Sequence, residues 1–173
     1  MGADTTTSRV PDARFLVSHP AHFIALGFGA GLIPIAPGTW GTLLSWGLCA
    51  AAMLVVPPVV LAFAAIPLFF LGVWACEVTG RDLGVEDHGA MVWDEIVAFM
   101  PLAAIASAAW WLQAVAFVLF RVFDVWKPYP IGLVERNTRG GMGVMVDDAM
   151  AAAYAYLAFI VFIVVMYKGF GFR

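Results

Sequence analysis

The chain has 173 residues, of which 63% are hydrophobic and only 12% are charged, and its formal net charge is −3. A water-soluble core cannot hide so much apolar surface in a chain of this length, so most soluble classes of protein are excluded. The small net charge and the absence of a Lys/Arg cluster from the sequence also exclude a nucleic-acid partner.

Three long stretches without Asp, Glu, Lys or Arg dominate the chain, at residues 23–76, 96–120 and 149–167. About 20 apolar residues are enough to cross a bilayer as a helix, so each stretch can cross or deeply enter a membrane. The sequence therefore predicts an all-α integral membrane bundle of about five to six helices, forming a single domain over residues 15–173. Residues 1–14 are polar and are expected to form a disordered cytoplasmic tail.

Glycine and proline divide the first apolar stretch. Residues 31–41 (GLIPIAPGTWG) are predicted to form a non-helical loop, followed by Thr42 as the N-cap of a helix over residues 43–56. This loop is either a simple turn at the membrane interface or a phosphate-binding cradle formed by the backbone N–H groups of Gly38, Thr39 and Gly41. A turn at Pro57 and Pro58 then leads into a second helix, predicted over residues 59–76.

The second apolar stretch, residues 96–120, is predicted to be a helical hairpin rather than one span. If it crossed the membrane once, the acidic segments on either side of it would lie on opposite faces and could not share a site. The turn is expected within residues 107–113, where the polar residues of the stretch lie, with Trp110 and Trp111 at the far interface.

The acidic residues are concentrated in one part of the chain. Ten of the 12 carboxylates fall between Glu77 and Asp148, in groups that flank the apolar stretches. Carboxylate oxygens are the ligands that Mg²⁺ prefers, so we expect these groups to converge on a metal ion in an acidic site built from loops. Helix caps or solvated turns are the local alternatives for any single acid. The candidate metal ligands are Glu86, Asp87, Asp94, Glu95, Asp124, Asp147 and Asp148.

Basic residues near these acids are candidate phosphate contacts. Arg121, Asp124 and Lys127 are spaced to form one polar stripe on a helix, which suits a phosphate group. They could also be charged residues that extend to a membrane surface. Arg139 could bind substrate or anionic lipid head groups, or simply mark the cytoplasmic side. GGMG at residues 140–143 is predicted to be a mobile connection before the last helix.

Four segments, in this order along the chain, resemble motifs of the phosphatidylglycerophosphatase A family. They are PGTWGT at residues 37–42, EDHGAMVWDE at 86–95, FRVFDVWKPYPI at 120–131 and RGGMGVMVDD at 139–148. One departure exists, because Ala151 and Ala152 stand where family members often have Ala-Gly. That difference bears on the packing of the last helix and not on the chemistry.

The resemblance implies Mg²⁺-dependent hydrolysis of phosphatidylglycerophosphate to phosphatidylglycerol and phosphate. It further implies a bacterial inner-membrane protein with several spans and a site facing the cytoplasm. The site positions that match the family motifs are Asp94, Glu95, Asp124, Lys127, Asp147 and Asp148.

Water attack assisted by a metal fits the residues better than the other phosphatase designs, since the Cys-x5-Arg and D-x-D-x-T nucleophile motifs are absent from the sequence. One of Asp94, Glu95 or Asp148 is expected to accept the proton of the attacking water, while Arg121 and Lys127 balance charge on the phosphate. An aspartyl-phosphate intermediate is an alternative route. Two rival functions are a CDP-alcohol phosphotransferase, whose D-G-x-x-A-R motif is missing, and a small ion carrier.

Overall fold

The computed structural model describes residues 10–107 and 109–170, and only the backbone of residues 135, 136 and 170. All regular structure within these ranges is helical, which confirms the all-α prediction. In chain order the helices are α1 (Ala13–Ser18), α2 (Pro20–Ala25), a 3-10 helix (Gly27–Leu32), α3 (Pro37–Ala52), α4 (Pro58–Leu83), α5 (Trp93–Ile105), α6 (Trp110–Trp126), α7 (Ile131–Asn137) and α8 (Gly140–Phe170). The predicted tail, residues 1–14, lies mostly outside the described residues.

The glycine-rich segment before α3 is more helical than the sequence predicts. A 3-10 helix occupies Gly27–Leu32, and α3 begins at Pro37, so the loop prediction over residues 31–41 is wrong for most of its length. Proline suits the first position of a helix because its fixed φ is already helical and its missing N–H would have no partner there. Thr42 is consequently not an N-cap: it lies inside α3, and its hydroxyl donates to the Gly38 carbonyl at 2.9 Å.

Helix α5 lies at the centre of the molecule. Ten of its 13 residues are buried, and it packs against α3, α4, α6 and α8. Hydrogen bonds between side chains and backbone add to these apolar contacts: the Ser45 hydroxyl donates to the Ile96 carbonyl at 2.6 Å, which ties α3 to α5. Residues near the start of α5 are therefore held within a well-packed core.

Helices α5 and α6 form the predicted hairpin. Helix α5 ends at Ile105 and α6 begins at Trp110, and Glu95 in the first turn of α5 lies 3.6 Å from Arg121 near the end of α6. The chain therefore reverses direction and returns its charged residues to one end of the molecule. Gln113 is buried within α6, where its side-chain oxygen accepts a hydrogen bond of 2.5 Å from the Trp46 indole.

Helices α4 and α8 are each long and apolar enough to cross a membrane. Only 22% of the most apolar stretch of α4 and 17% of that of α8 is buried, whereas the core helix of a soluble protein is mostly buried. Large apolar side chains instead face outward, and an exposed surface of this kind is typical of contact with lipid. They are Val59, Val60, Phe63, Ile66, Phe70 and Trp74 on α4, and Tyr156, Leu157, Ile160, Val161, Val164, Val165 and Tyr167 on α8.

The GGMG segment is the first turn of α8, so the prediction of a mobile connection is wrong. Its glycines allow α8 to approach α4 closely. A Cβ atom on Gly141 would lie 2.0 Å from the Val73 carbonyl oxygen, which leaves no room for a side chain. The absence of side chains here reflects helix packing and not a flexible loop.

Candidate active site

The clustered acidic residues lie on three helices. Asp94 and Glu95 are in the first turn of α5, Asp124 is in the last turn of α6, and Asp147 and Asp148 are in α8 beyond its first turn. The expectation of a loop-built site is therefore wrong. The acids lie on helices because α5, α6 and α8 include segments that the sequence predicted to be loops.

Three of these acids meet in one buried cluster. Asp94, Glu95 and Asp148 each direct a carboxylate oxygen to a common point, and these three oxygens lie within 4.8 Å of one another. Asp94 is 9% exposed and Asp148 is 3% exposed. Asp94 Oδ1, Glu95 Oε2 and Asp148 Oδ2 are buried without a hydrogen-bond partner in the described part of the chain.

Unpartnered buried carboxylate oxygens are costly, so they need a partner outside the polypeptide. Burial raises the pKa of the Asp94 and Glu95 carboxyls, and the neighbouring charges of Glu95 and Asp148 add to the rise at Asp94. A divalent cation among the three oxygens would stabilise the charged forms and supply the missing contacts. The donor set therefore fits Mg²⁺, which prefers oxygen ligands.

A second set of contacts adjoins the cluster on α6. Arg121 Nη1 lies 2.6 Å from Asp124 Oδ2 and 3.6 Å from Glu95 Oε1, so one guanidinium joins an acid of α6 to an acid of α5. Both Arg121 and Asp124 are mostly buried, with side chains 18% and 11% exposed. Arg121 and Asp124, which were predicted to share one face of a helix, are paired, and the pair lies directly beside the cluster.

The start of α3 forms one wall of this region. A Cβ atom on Gly38 would lie 1.9 Å from Glu95 Oε1 and 3.2 Å from Arg121 Nη1, so a side chain there would displace the Glu95 carboxylate. The Thr42 hydroxyl lies 3.5 Å from Arg121 Nη1. The PGTWGT segment is thus packed against the acidic residues, although more than 50 residues separate it from them in sequence.

The proposed N–H cradle is only partly available for a ligand. The Thr39 N–H donates to the Ala36 carbonyl at 2.9 Å, so it belongs to the first turn of α3. Gly41 lies within α3 against Val92, and a Cβ atom there would be 2.8 Å from the Val92 Cβ. Gly41 is therefore placed for close packing of α3 on the segment before α5.

Asp147 is paired with Lys127. Lys127 Nζ lies 2.6 Å from Asp147 Oδ2, which joins the end of α6 to α8. Lys127 ends α6 with a φ of 43°, a left-handed conformation that non-glycine residues rarely adopt. The helical stripe predicted for Arg121, Asp124 and Lys127 therefore ends before Lys127, whose side chain is directed instead to α8.

The charges in this region do not balance. Its five carboxylates, on Asp94, Glu95, Asp124, Asp147 and Asp148, are accompanied by two cations, on Arg121 and Lys127, in the contacts described above. An excess of buried negative charge would repel an anionic substrate. The same excess suits a site that binds a cation together with a phosphate.

Three other predicted site residues are not among the three acids of the cluster. Glu86, Asp87 and Arg139 are exposed. Glu86 and Arg139 line a separate hollow of about 390 Å³ with Glu77 and Arg81. Asp87 is near enough to Asp147 for its charge to act on that carboxylate.

Sequence reasoning missed two contacts near the site. Thr42 was assigned as a helix cap, whereas its hydroxyl faces Arg121. Glu77 was placed outside the matched motifs, whereas its Oε2 accepts a hydrogen bond of 2.8 Å from the Gly141 N–H at the start of α8. The Glu77 to Arg81 spacing predicts their ion pair, but no local signal links Glu77 to a residue 64 positions further along.

Comparison with known proteins finds one family model and several relatives that match most of the chain. Residues 23–163 match the family model described as Phosphatidylglycerophosphatase A. A protein of that name from Haemophilus influenzae is 44% identical over 155 residues, covering 87% of this chain and 93% of the relative. The Escherichia coli protein of the same name is 41% identical over 146 residues, covering 82% and 83%.

A third relative has a different name. It comes from Bacteroides thetaiotaomicron, bears the provisional name phosphatidylinositol-3-phosphatase, and is 39% identical over 141 residues. The match covers 78% of this chain and 87% of the relative. No solved structure matches the chain.

Proposed function

The chain belongs to the phosphatidylglycerophosphatase A family, and on that premise we propose that it hydrolyses phosphatidylglycerophosphate to phosphatidylglycerol and phosphate with Mg²⁺. All three relatives carry the names of enzymes that remove a phosphate from a lipid head group. The observation that supports a metal-dependent route is the buried cluster of Asp94, Glu95 and Asp148, with one unpartnered oxygen on each acid.

Asp94, Glu95 and Asp148 are the residues that would hold Mg²⁺, with Asp124 adjoining them through Arg121. When bound, the metal would polarise the phosphoryl oxygens and offset the negative charge that repels a phosphate monoester. The protein's own contribution is to fix three carboxylates on two helices that are packed together in the core. Fixed ligands of this kind lose little freedom when the substrate arrives.

The reaction requires a proton acceptor for the attacking water. Asp94 or Asp148 suits this role, because within the described residues neither is ion-paired, whereas Glu95 lies 3.6 Å from Arg121. The water oxygen forms a new bond to phosphorus as the bond from phosphorus to the glycerol oxygen breaks. The glycerol oxygen takes up the proton that the carboxylate removed from the water and leaves as the hydroxyl of phosphatidylglycerol.

Arg121 and Lys127 serve mainly to hold the surrounding acids. Each lies 2.6 Å from a carboxylate oxygen, Arg121 from Asp124 and Lys127 from Asp147. Their positive charges also lower the repulsion that an incoming phosphate meets. Thr42 supports this arrangement through its contact with Arg121.

We further propose that the protein lies in the bacterial inner membrane with this site at the cytoplasmic end. Support comes from the exposed apolar surfaces of α4 and α8 and from the hairpin of α5 and α6, which brings the acids to one end. Cysteines at Gly89 and Asn137, near that end, should react with an impermeant maleimide only after the inner membrane is opened. A cysteine at Val55, in the connection between α3 and α4, should react in cells whose inner membrane is intact.

The function is tested with purified protein in detergent. Phosphate release should be fastest from phosphatidylglycerophosphate, slower from phosphatidylinositol 3-phosphate and slowest from phosphatidic acid. Removal of divalent ions with a chelator should abolish release, and added Mg²⁺ should restore it. Equal or faster hydrolysis of phosphatidic acid would contradict the substrate assignment, and full activity in the chelator would contradict the role of the metal.

A further inference from the structure

An apolar groove runs between α4, α5 and α8 and ends at the carboxylate cluster. It encloses about 340 Å³, and its wall is built from small or flat apolar residues such as Ala65, Ala98, Ala149 and Ala152. Asp94 is the one polar residue of this lining. Because Asp94 also belongs to the carboxylate cluster, the inner end of the groove lies beside the proposed reaction site.

The groove continues along α8. A second hollow of about 420 Å³ shares Pro101, Ala149 and Ala152 with the first and extends to Tyr156 and Leu157. From position 149 to position 157 the path follows α8 for about 12 Å, given the rise of about 1.5 Å per helical residue. Its lining is apolar throughout the second hollow apart from the Tyr156 hydroxyl.

The groove opens on the outer surface of the molecule. Ile66 and Phe70 on α4 and Leu157 on α8 line it and are 57%, 61% and 64% exposed. These residues belong to the two helices that are long and apolar enough to cross a membrane. The opening therefore faces the region where hydrocarbon chains lie, and not the water phase.

We propose that this groove binds an acyl chain of the lipid substrate and that the substrate enters sideways from the bilayer. This inference rests on the proposed lipid phosphatase function. The inner end of the groove meets the carboxylates that would receive the phosphate, while the outer end of the groove meets the lipid. One molecule with a charged phosphate and a long hydrocarbon chain matches both ends at once. Burial of the chain would position the ester phosphate beside Asp94.

The small residues of the wall allow a direct test. Ala152 lines both hollows, so Ala152→Leu should occupy space that an acyl chain would use. Activity is compared on two phosphatidylglycerophosphates, one with long acyl chains in mixed micelles and one with two six-carbon chains. The variant should lower kcat/KM for the long-chain lipid by about tenfold or more, mainly through KM, and should affect the short-chain lipid much less.

A second variant separates occupation of the groove from disturbance of the cluster. Ala153 lines only the outer hollow, so Ala153→Leu should discriminate between the two lipids in the same direction but more weakly. Ala50, an exposed residue on α3 that lines neither hollow, provides the matched control as Ala50→Leu. Ala50→Leu should have the same kcat/KM as the unsubstituted protein on each of the two lipids.

Two results would overturn the acyl groove. One is an equal loss on long-chain and short-chain lipids, which would mean that the substitution acts on the cluster itself. The other is no loss on either lipid. Failure of the proposed function is recognised separately, because the unsubstituted protein would then release phosphate from neither lipid.

Discussion

One carboxylate lies at the start of α8 and three others meet further along it, and their charges are satisfied in different ways. At the start of the helix, Glu77 Oε2 accepts a hydrogen bond of 2.8 Å from the Gly141 N–H, and its Oε1 lies 3.0 Å from Arg81 Nη2. About two helical turns further along, Asp148 meets Asp94 and Glu95, and each of these three acids has a buried oxygen without a partner in the described chain.

The difference indicates which acids serve the fold and which serve a ligand. Glu77 places a negative charge at a helix N-terminus, where free N–H groups and the helix dipole favour it. In the cluster, Glu95 lies 3.6 Å from Arg121, but one oxygen on each of Asp94, Glu95 and Asp148 has no partner in the described chain. Carboxylate oxygens that are buried and unpartnered reduce stability, and this cost supports the proposal that a cation binds among them.

The largest expected effect comes from the unpartnered acids. Asp94→Asn or Asp148→Asn keeps the shape of the side chain and removes its charge. Each should lower kcat by about two powers of ten or more, which corresponds to roughly 2.7 kcal/mol of lost transition-state stabilisation. The measurement is phosphate release from phosphatidylglycerophosphate at saturating Mg²⁺.

Thermal unfolding in detergent gives a second measurement on the same variants. Mg²⁺ at about 100 times its dissociation constant should stabilise the unsubstituted protein by about 2.7 kcal/mol, and this gain should be largely lost in Asp148→Asn. Without metal, the variant should be at least as stable as the unsubstituted protein, because one of the repelling charges is gone. A variant that is active and still stabilised by Mg²⁺ would remove Asp148 from the site.

An intermediate effect is expected at the pair of Lys127 and Asp147. Lys127→Met leaves the Asp147 carboxylate, which is 6% exposed, without its cation at 2.6 Å. The free energy of unfolding should fall by about 2 kcal/mol, less than for a fully buried pair because the Lys127 side chain is 27% exposed.

The double variant Lys127→Met with Asp147→Asn should recover much of that stability. Recovery would show that the two residues stabilise each other as a pair. If the double variant is no more stable than Lys127→Met, the pair is not the source of the loss. Phosphate release measured on both variants then shows how far each group also supports the reaction.

The smallest effect is expected at the satisfied acid. Glu77→Gln keeps an oxygen that can accept from the Gly141 N–H and loses only the charge near the start of α8 and beside Arg81. Stability should fall by about 1 kcal/mol or less, and phosphate release should stay within about twofold. Asp82→Asn, at an acid paired with His22 at 2.8 Å, is a control remote from the cluster. If Glu77→Gln lost as much activity as Asp148→Asn, the distinction between Glu77 and the cluster would be wrong.

Several features could be predicted from the sequence because they depend on local composition. Charge-free stretches predict apolar helices, and α4 and α8 confirm this for two of them. The hairpin of α5 and α6 followed from requiring the charged segments 77–95 and 121–148 to lie on the same side of the membrane. The four motifs identified the family, which the comparisons confirm.

Only the tertiary structure decided where the helices begin and which acids converge. Gly-rich segments predict loops when they are considered alone, yet Gly38 and Gly141 are part of α3 and α8 and lie against residues of α5 and α4. The separation of Glu77 from the cluster likewise depends on a contact across 64 residues. A sequence pattern reports the hydropathy and conformational preference of neighbouring residues, whereas a close approach between helices depends on side chains that are distant in the chain.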